Sequence, residues 1–237
     1  MVRSNQVGGN PQVVPYEQFF SEWPRRFRQG EHVTLIGPTG CGKTLLAGDL
    51  VSVRAYVVAT GVKRKDDSLS DLQKQGWKRI SNWKEKPRNA QRVLLWPNEK
   101  NIKKVKALLK QVFTELLADV YDKGGWCIWS DELRVLCDIL GLRQEYILMY
   151  VASRSNGISL VSAAQRPSHV PLEAYSQAQH LFLFRTGDER DLARAGGLNG
   201  ANAKQVADTV SRLEKHQFLY IDLNTGYQAI STRPYKP

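Results

Sequence analysis

Eight consecutive residues, Gly37-Pro38-Thr39-Gly40-Cys41-Gly42-Lys43-Thr44, constrain this chain more than any other feature. They satisfy G-x-x-x-x-G-K-[ST] in full, between a compact apolar run (His32 to Ile36) and an apolar segment from Lys43 to about Val53 that reads as a helix. Glycine tolerates backbone conformations that other residues avoid, so such a loop can curl until successive N–H groups point inward at one anion. The helix that follows adds the positive end of its dipole. Strand, glycine-rich loop and helix together make a phosphate cradle. Gly37, Pro38, Thr39, Gly40, Cys41, Gly42, Lys43, Thr44 and Leu45 would wrap the phosphates of ATP. Lys43 would reach the β- and γ-phosphates, and the Thr44 hydroxyl would ligate Mg2+. Cys41 fills an unspecified position and reads as a small loop residue rather than a nucleophile.

A phosphate cradle of this kind needs an acidic partner. Trp126-Cys127-Ile128-Trp129-Ser130 is an apolar strand that ends in Asp131-Glu132. Asp131 is placed to hold the magnesium shell at the carboxyl end of a strand beside the cradle. Glu132, one residue on, would polarise the attacking water, because two like charges on one ion need a division of labour. A kinase for small molecules would not need that second carboxylate.

The rest of the chain alternates. Strands are expected at Arg54 to Ala59, Arg92 to Trp96, Ile158 to Ala163 and His180 to Phe184, and helices at 68–75, 101–123, 143–154, 172–177, 188–195 and 203–215. Phe218 to Leu223 and Gln228 to Ser231 flank Asn224-Thr225-Gly226 as a terminal hairpin. Alternation of this kind implies a largely parallel sheet flanked by helices. Residues 1–29 read as a leader, loose to residue 15, followed by a short aromatic helix broken at Pro24; residues 30–237 read as one ATPase domain. The three cysteines show no paired spacing, and no apolar run is long enough for a signal peptide or a membrane span, so a reducing, cytoplasmic setting is expected.

The net charge of +11 is not spread evenly. Residues 62–110 hold fifteen Lys and Arg against five Asp and Glu, while the remainder of the chain is close to neutral. Lys63, Arg64, Lys65, Lys78, Arg79, Lys84, Lys86 and Arg88 interleave with Trp77 and Trp83, and Lys100, Lys103, Lys104 and Lys106 follow. Such a block suits phosphate contacts that do not read bases, and it equally suits a solvated face over packed tryptophans.

Arg154-Ser155-Asn156-Gly157-Ile158-Ser159-Leu160, running on to Gln165-Arg166-Pro167, resembles the segment that FtsK/HerA-type DNA-pumping ATPases carry after their acidic strand. Phe184-Arg185-Thr186-Gly187-Asp188-Glu189-Arg190-Asp191 is similar to their next strand and helix start, and the likeness spans about residues 30–230. The resemblance implies a RecA-like core with the added strand of the catalytic-glutamate (ASCE) class, working as a ring, with a hexamer expected. It implies that Gln165 senses the γ-phosphate and that an arginine acts across the subunit boundary. Arg154 is the first candidate, Arg185 and Arg190 come next, Arg166 would brace the sensor, and a surface ion pair is the competing reading of each. A bare motor core of 237 residues is closest in size to the genome-packaging ATPases of tailless, membrane-containing viruses. That implies double-stranded DNA as substrate, a vertex, portal or membrane protein as docking partner, and the host cytoplasm or the virion as location. A conjugation or partition pump, an ATP-dependent assembly or secretion protein and a small-molecule kinase remain the alternatives.

Overall fold

The computed structural model describes residues 10–166, 170–197 and 203–234. In chain order it contains β1 (Gln12–Val13), α1 (Tyr16–Arg26), β2 (Val33–Ile36), α2 (Lys43–Val51), β3 (Val57–Thr60), α3 (Asp67–Lys74), β4 (Lys78–Ile80), β5 (Arg92–Leu95) and α4 (Ile102–Lys123). It continues with β6 (Cys127–Ser130), α5 (Arg143–Ala152), β7 (Ser159–Ala164), α6 (Glu173–Ser176), β8 (His180–Phe184), α7 (Glu189–Gly197), α8 (Ala203–Arg212), β9 (Gln217–Asp222) and β10 (Gln228–Thr232).

All ten strands join one sheet in the order β1-β10-β9-β8-β2-β7-β6-β3-β5-β4. From β8 to β4 every neighbouring pair is parallel. The terminal hairpin β9–β10 adds antiparallel to β8, as the sequence pattern predicts. Its turn is held by Asp222, whose side chain accepts the N–H groups of Asn224 and Thr225.

The central strands are buried on both faces, as parallel sheets require, and are mostly apolar, with Thr34, Ser130, Ser159, Ser162 and His180 as buried polar positions. Successive residues point to opposite faces. Thus Leu181 and Leu183 of β8 join a core with α4, α5, α6 and α8, while Phe182 and Phe184 join one with α1, α2 and α3. Because the seven parallel strands share one direction, all their carboxyl ends, and the loops that leave them, lie along one edge of the sheet.

The N-terminal part differs from the expectation. Gln12–Val13 pairs with β10 rather than trailing as leader, and Pro24 sits inside α1 without breaking it. Proline removes one helical hydrogen bond and crowds the preceding turn. Packing outweighs that here. Phe19 and Trp23 are buried against Phe182 and Tyr220, and the Trp23 indole donates to the Leu50 carbonyl at 3.0 Å. The Tyr16 hydroxyl and Arg233 both bond Asp49, tying both ends of the described chain to α2. The turn that follows Glu132 winds as a single π-helical turn at Val135–Ile139, which the sequence reading did not anticipate.

Candidate active site

The glycine-rich loop leaves β2 and is pinned at both ends. The Gly37 N–H donates to the Ala164 carbonyl at 3.1 Å, and a side chain at Gly37 would meet the Phe184 Cβ at 2.5 Å, so that position must be bare. Gly42 has φ +104°, a left-handed conformation that caps α2 without any side-chain hydrogen bond. The first-turn N–H groups of α2 are therefore left for an anion. Lys43 is buried, and its Nζ donates to the carbonyls of Gly37 and Pro38 at 2.8 Å each, holding the loop curled. Burial pushes the Cys41 thiol up, against the opposing charge of Lys43 beside it, which disfavours the thiolate.

Asp131 and Glu132 follow β6 directly. The sequence places their strand beside the cradle; β7 in fact intervenes, so β6 is two strands from β2. The carboxylate still reaches across. Thr44 Oγ1 donates to Asp131 Oδ2 at 2.9 Å, while Asp131 Oδ1 is buried without a hydrogen-bond partner. Burial raises the Asp131 pKa, opposed by the Thr44 hydrogen bond and the Lys43 charge. A buried carboxylate with an oxygen unsatisfied next to a hydroxyl is a hard-donor pair that fits a divalent cation such as Mg2+.

Glu132 is ion-paired with Lys63, which leaves the loop after β3. Burial opposes charge on Lys63, but the Glu132 hydrogen bond and the charges of Glu132, Asp66 and Asp131 outweigh it and hold the ammonium above its usual range. Gln165 directly follows β7, the strand between β2 and β6. It lines one cleft of about 550 Å³ with Lys43, Thr44, Asp131, Glu132 and Lys63. Lys215 and His216 line the same cleft from the turn before β9. No motif marks them, and they reach the loop only through the fold, His216 Nδ1 donating to the Cys41 carbonyl at 3.2 Å.

Arg154 is not in this cleft. It lies in a short turn ahead of β7, at the other end of a strand about 20 Å long. It is exposed there. Arg185 follows β8 beside the cradle, where it lines a shallow pocket with Pro38 and Thr39. Arg166 pairs with Asp188 at 3.4 Å, Arg190 stands in the first turn of α7, and Pro167 lies outside the described residues.

The basic block divides by place and by partner. Arg79 stacks on Trp96 at 4.0 Å, Lys84 pairs with Glu115 at 3.3 Å, and Lys86 lies over the rings of Trp83 and Trp126. Lys84, Lys86 and Arg88 belong to the connection from β4 to β5, which packs on the second half of α4, away from the cleft. Lys78 opens β4 at the sheet margin. Arg64, Lys65 and Lys100 are exposed on the loops leaving the carboxyl ends of β3 and β5, and Lys103 and Lys104 are exposed on the first turn of α4, on the cleft's own edge. Those two loops are tied together, the Trp96 indole donating to the Lys63 carbonyl at 2.6 Å. No described helix is long and apolar enough to cross a membrane.

No protein-family model matches the chain, and no curated protein sequence matches it. Solved structures do. The DNA-packaging ATPase B204 of Sulfolobus turreted icosahedral virus is 20% identical over 89% of this chain and 100% of its own, with a TM-score of 0.63. The conjugation coupling protein TcpA of pCW3 is 15% identical over 85% of this chain and 59% of its own, at 0.56. The ATPase 2 and 3 portion of EccC from Thermomonospora curvata is 12% identical over 98% of this chain and 45% of its own, at 0.59. The chain therefore has the RecA-like P-loop fold of these proteins, with one strand, β7, between the strand of the phosphate loop and the acidic strand.

Proposed function

We propose that this chain is an ATP-hydrolysing translocase of double-stranded DNA, working as a genome-packaging motor. One observation carries the reading: Lys43, the Thr44–Asp131 pair, Glu132 and Gln165 converge in one cleft at the carboxyl ends of β2, β6 and β7. Lys43 and the α2 N-terminus would take the β- and γ-phosphates. Thr44 and Asp131 would hold Mg2+, which supplies charge neutralisation on the phosphoryl oxygens. Glu132 would orient a water and accept its proton, and Gln165 would contact the γ-phosphate.

The exposed cations on the rim of that cleft favour nucleic acid over a peptide cargo and over a kinase acceptor. They make the DNA-packaging and conjugation proteins, rather than EccC, the apt comparison. The reading includes assembly into a ring, for which Arg154 or Arg185 would serve a neighbouring subunit's site. Such an arginine adds several orders of magnitude to phosphoryl transfer.

The test is steady-state ATP hydrolysis with and without linear duplex DNA across a range of salt, alongside a mass measurement in ATP. Duplex should raise the rate of the wild type. Glu132→Gln should lose turnover while keeping ATP affinity. Absence of stimulation at every salt concentration would refute the DNA assignment, and γ-phosphate transfer to a nucleoside would replace it with a kinase.

A further inference from the structure

The cleft is asymmetric. On the β7, β6 and β3 side of the phosphate loop stand Gln165, Asp131 and Glu132, groups for the reacting end of a triphosphate, with Lys63 paired to Glu132. On the β8 and β9 side stands the turn from Glu214 to Gln217. Because β9 runs antiparallel to β8, its first residues lie beside the carboxyl end of β8, level with the phosphate loop.

This turn is built. The Glu214 N–H donates to the Gln217 side chain at 2.8 Å and the Gln217 N–H to the Glu214 carbonyl at 3.1 Å, leaving Lys215 and His216 at its crest. His216 has φ +68°, the only non-glycine positive φ among the described residues. Side chains with a Cβ are rarely held there, and such positions persist where surrounding contacts fix them. The contact here is His216 Nδ1 donating to the Cys41 carbonyl of the phosphate loop. Beside it, Leu45 on the first turn of α2 is 39% exposed, an apolar surface next to an imidazole ring on the cleft wall.

We infer that the Lys215–His216 turn, with Leu45, is the nucleoside-side wall of the site. A triphosphate whose γ end faces Glu132 and Gln165 must leave the loop on the opposite flank, and this wall is what it meets. The Lys215 ammonium, exposed at the crest, neutralises the phosphate nearest the ribose. The His216 ring and the Leu45 side chain take the flat apolar face of the base. The inference rests on the ATPase reading above and deepens it.

Calorimetric titration of the full chain with ATP, AMP and inorganic tripolyphosphate, in magnesium, tests it. His216→Gly removes the ring while accepting the turn's backbone angle, and His216→Asn keeps a side chain that tolerates it. Both should weaken ATP and AMP by roughly tenfold, the worth of one base contact on a ring, and leave tripolyphosphate unchanged. Lys215→Ala should weaken AMP as well as ATP. Equal losses for ATP and tripolyphosphate would overturn the wall, showing that His216 only braces Cys41. So would unchanged affinity for all three ligands. A wild type that binds none of them would overturn the ATPase reading itself, which separates the two failures.

Discussion

On the proposed function a DNA phosphate would compete with Glu132 for Lys63, and that competition can be measured. The perturbation is Lys63→Ala. The two side chains are 53% and 21% exposed, and Asp66 lies 3.9 Å from the same ammonium. An ion pair this open contributes about 0.2–1 kcal/mol, so the substitution should lower the melting temperature by no more than about 2–4 °C. Its effect on turnover follows from chemistry. While the Lys63 ammonium occupies the Glu132 carboxylate, no water can donate to the same oxygen, so Glu132 must leave Lys63 before it can take a proton. If leaving costs about 1 kcal/mol, deleting Lys63 raises the DNA-free ATPase rate by up to about fivefold. Stimulation by DNA should then shrink by a similar factor, because the duplex no longer has Lys63 to draw away. Phosphate release with and without linear duplex, at low and high salt, reads both quantities. Lys63→Ala combined with Glu132→Gln should be as inactive as Glu132→Gln alone. A fall in the DNA-free rate together with weaker ATP binding would refute the reasoning and make Lys63 a phosphate ligand.

Three other outcomes follow from specific contacts. His32 is fully buried at the foot of β2, its Nδ1 accepting the Leu160 N–H at 3.1 Å, and burial pushes its pKa down to about 4. The unfolded chain binds a proton below about pH 6.5 that the folded chain refuses, so stability should be lost as pH falls from there towards 4, by at most roughly 3 kcal/mol. His32→Asn keeps an acceptor and should flatten that dependence in thermal melts. Gly37→Ala places a methyl 2.5 Å from the Phe184 Cβ and 3.0 Å from the Cys41 sulfur, so nucleotide titration should show a loss of more than about tenfold, whereas Gly187→Ala, with nothing within 4 Å, should behave as wild type. Arg64→Ala with Lys65→Ala should reduce the salt slope of duplex binding by about 2 and leave DNA-free ATPase intact, while Lys84→Ala, already engaged by Glu115, should not change it.

What the sequence made legible was chemistry carried by neighbouring residues. The curl of Gly37 to Thr44 depends on the backbone freedom of its own glycines, and an apolar run that stops at Asp131-Glu132 announces both a strand and the acid at its end. The largely apolar character of β2, β6, β7 and β8 likewise follows from burial on two faces and needs no partner to be read. Strand adjacency does need partners. That β7 intervenes between β2 and β6 is a property of the sheet, and it is why Gln165 lies between the phosphate loop and Asp131. Helix α1 runs through Pro24 because Trp23 and Phe19 find an aromatic wall supplied by β8 and β9, more than 150 residues later. Local propensity carries no trace of such a wall. The Lys215–His216 turn was hidden for the same reason, since its contact to Cys41 spans 175 positions.

The basic block shows the limit of reading charge along the chain. As a segment, residues 62–110 look like one surface, yet the segment crosses the sheet edge to edge more than once. Its charges must therefore fall on different sides of the molecule. Lys84 and Lys86 go to the face of α4, where Glu115 and two tryptophans occupy them. Arg64, Lys65, Lys103 and Lys104 go to the edge that carries the nucleotide cleft, joined to it through Lys63. A duplex bound along that edge would meet exposed cations one residue from the lysine that restrains Glu132. If the chain works as proposed, coupling between duplex binding and hydrolysis would need no long path through the core: the Lys63 side chain, the Trp96 indole that anchors its loop, and one carboxylate would connect them.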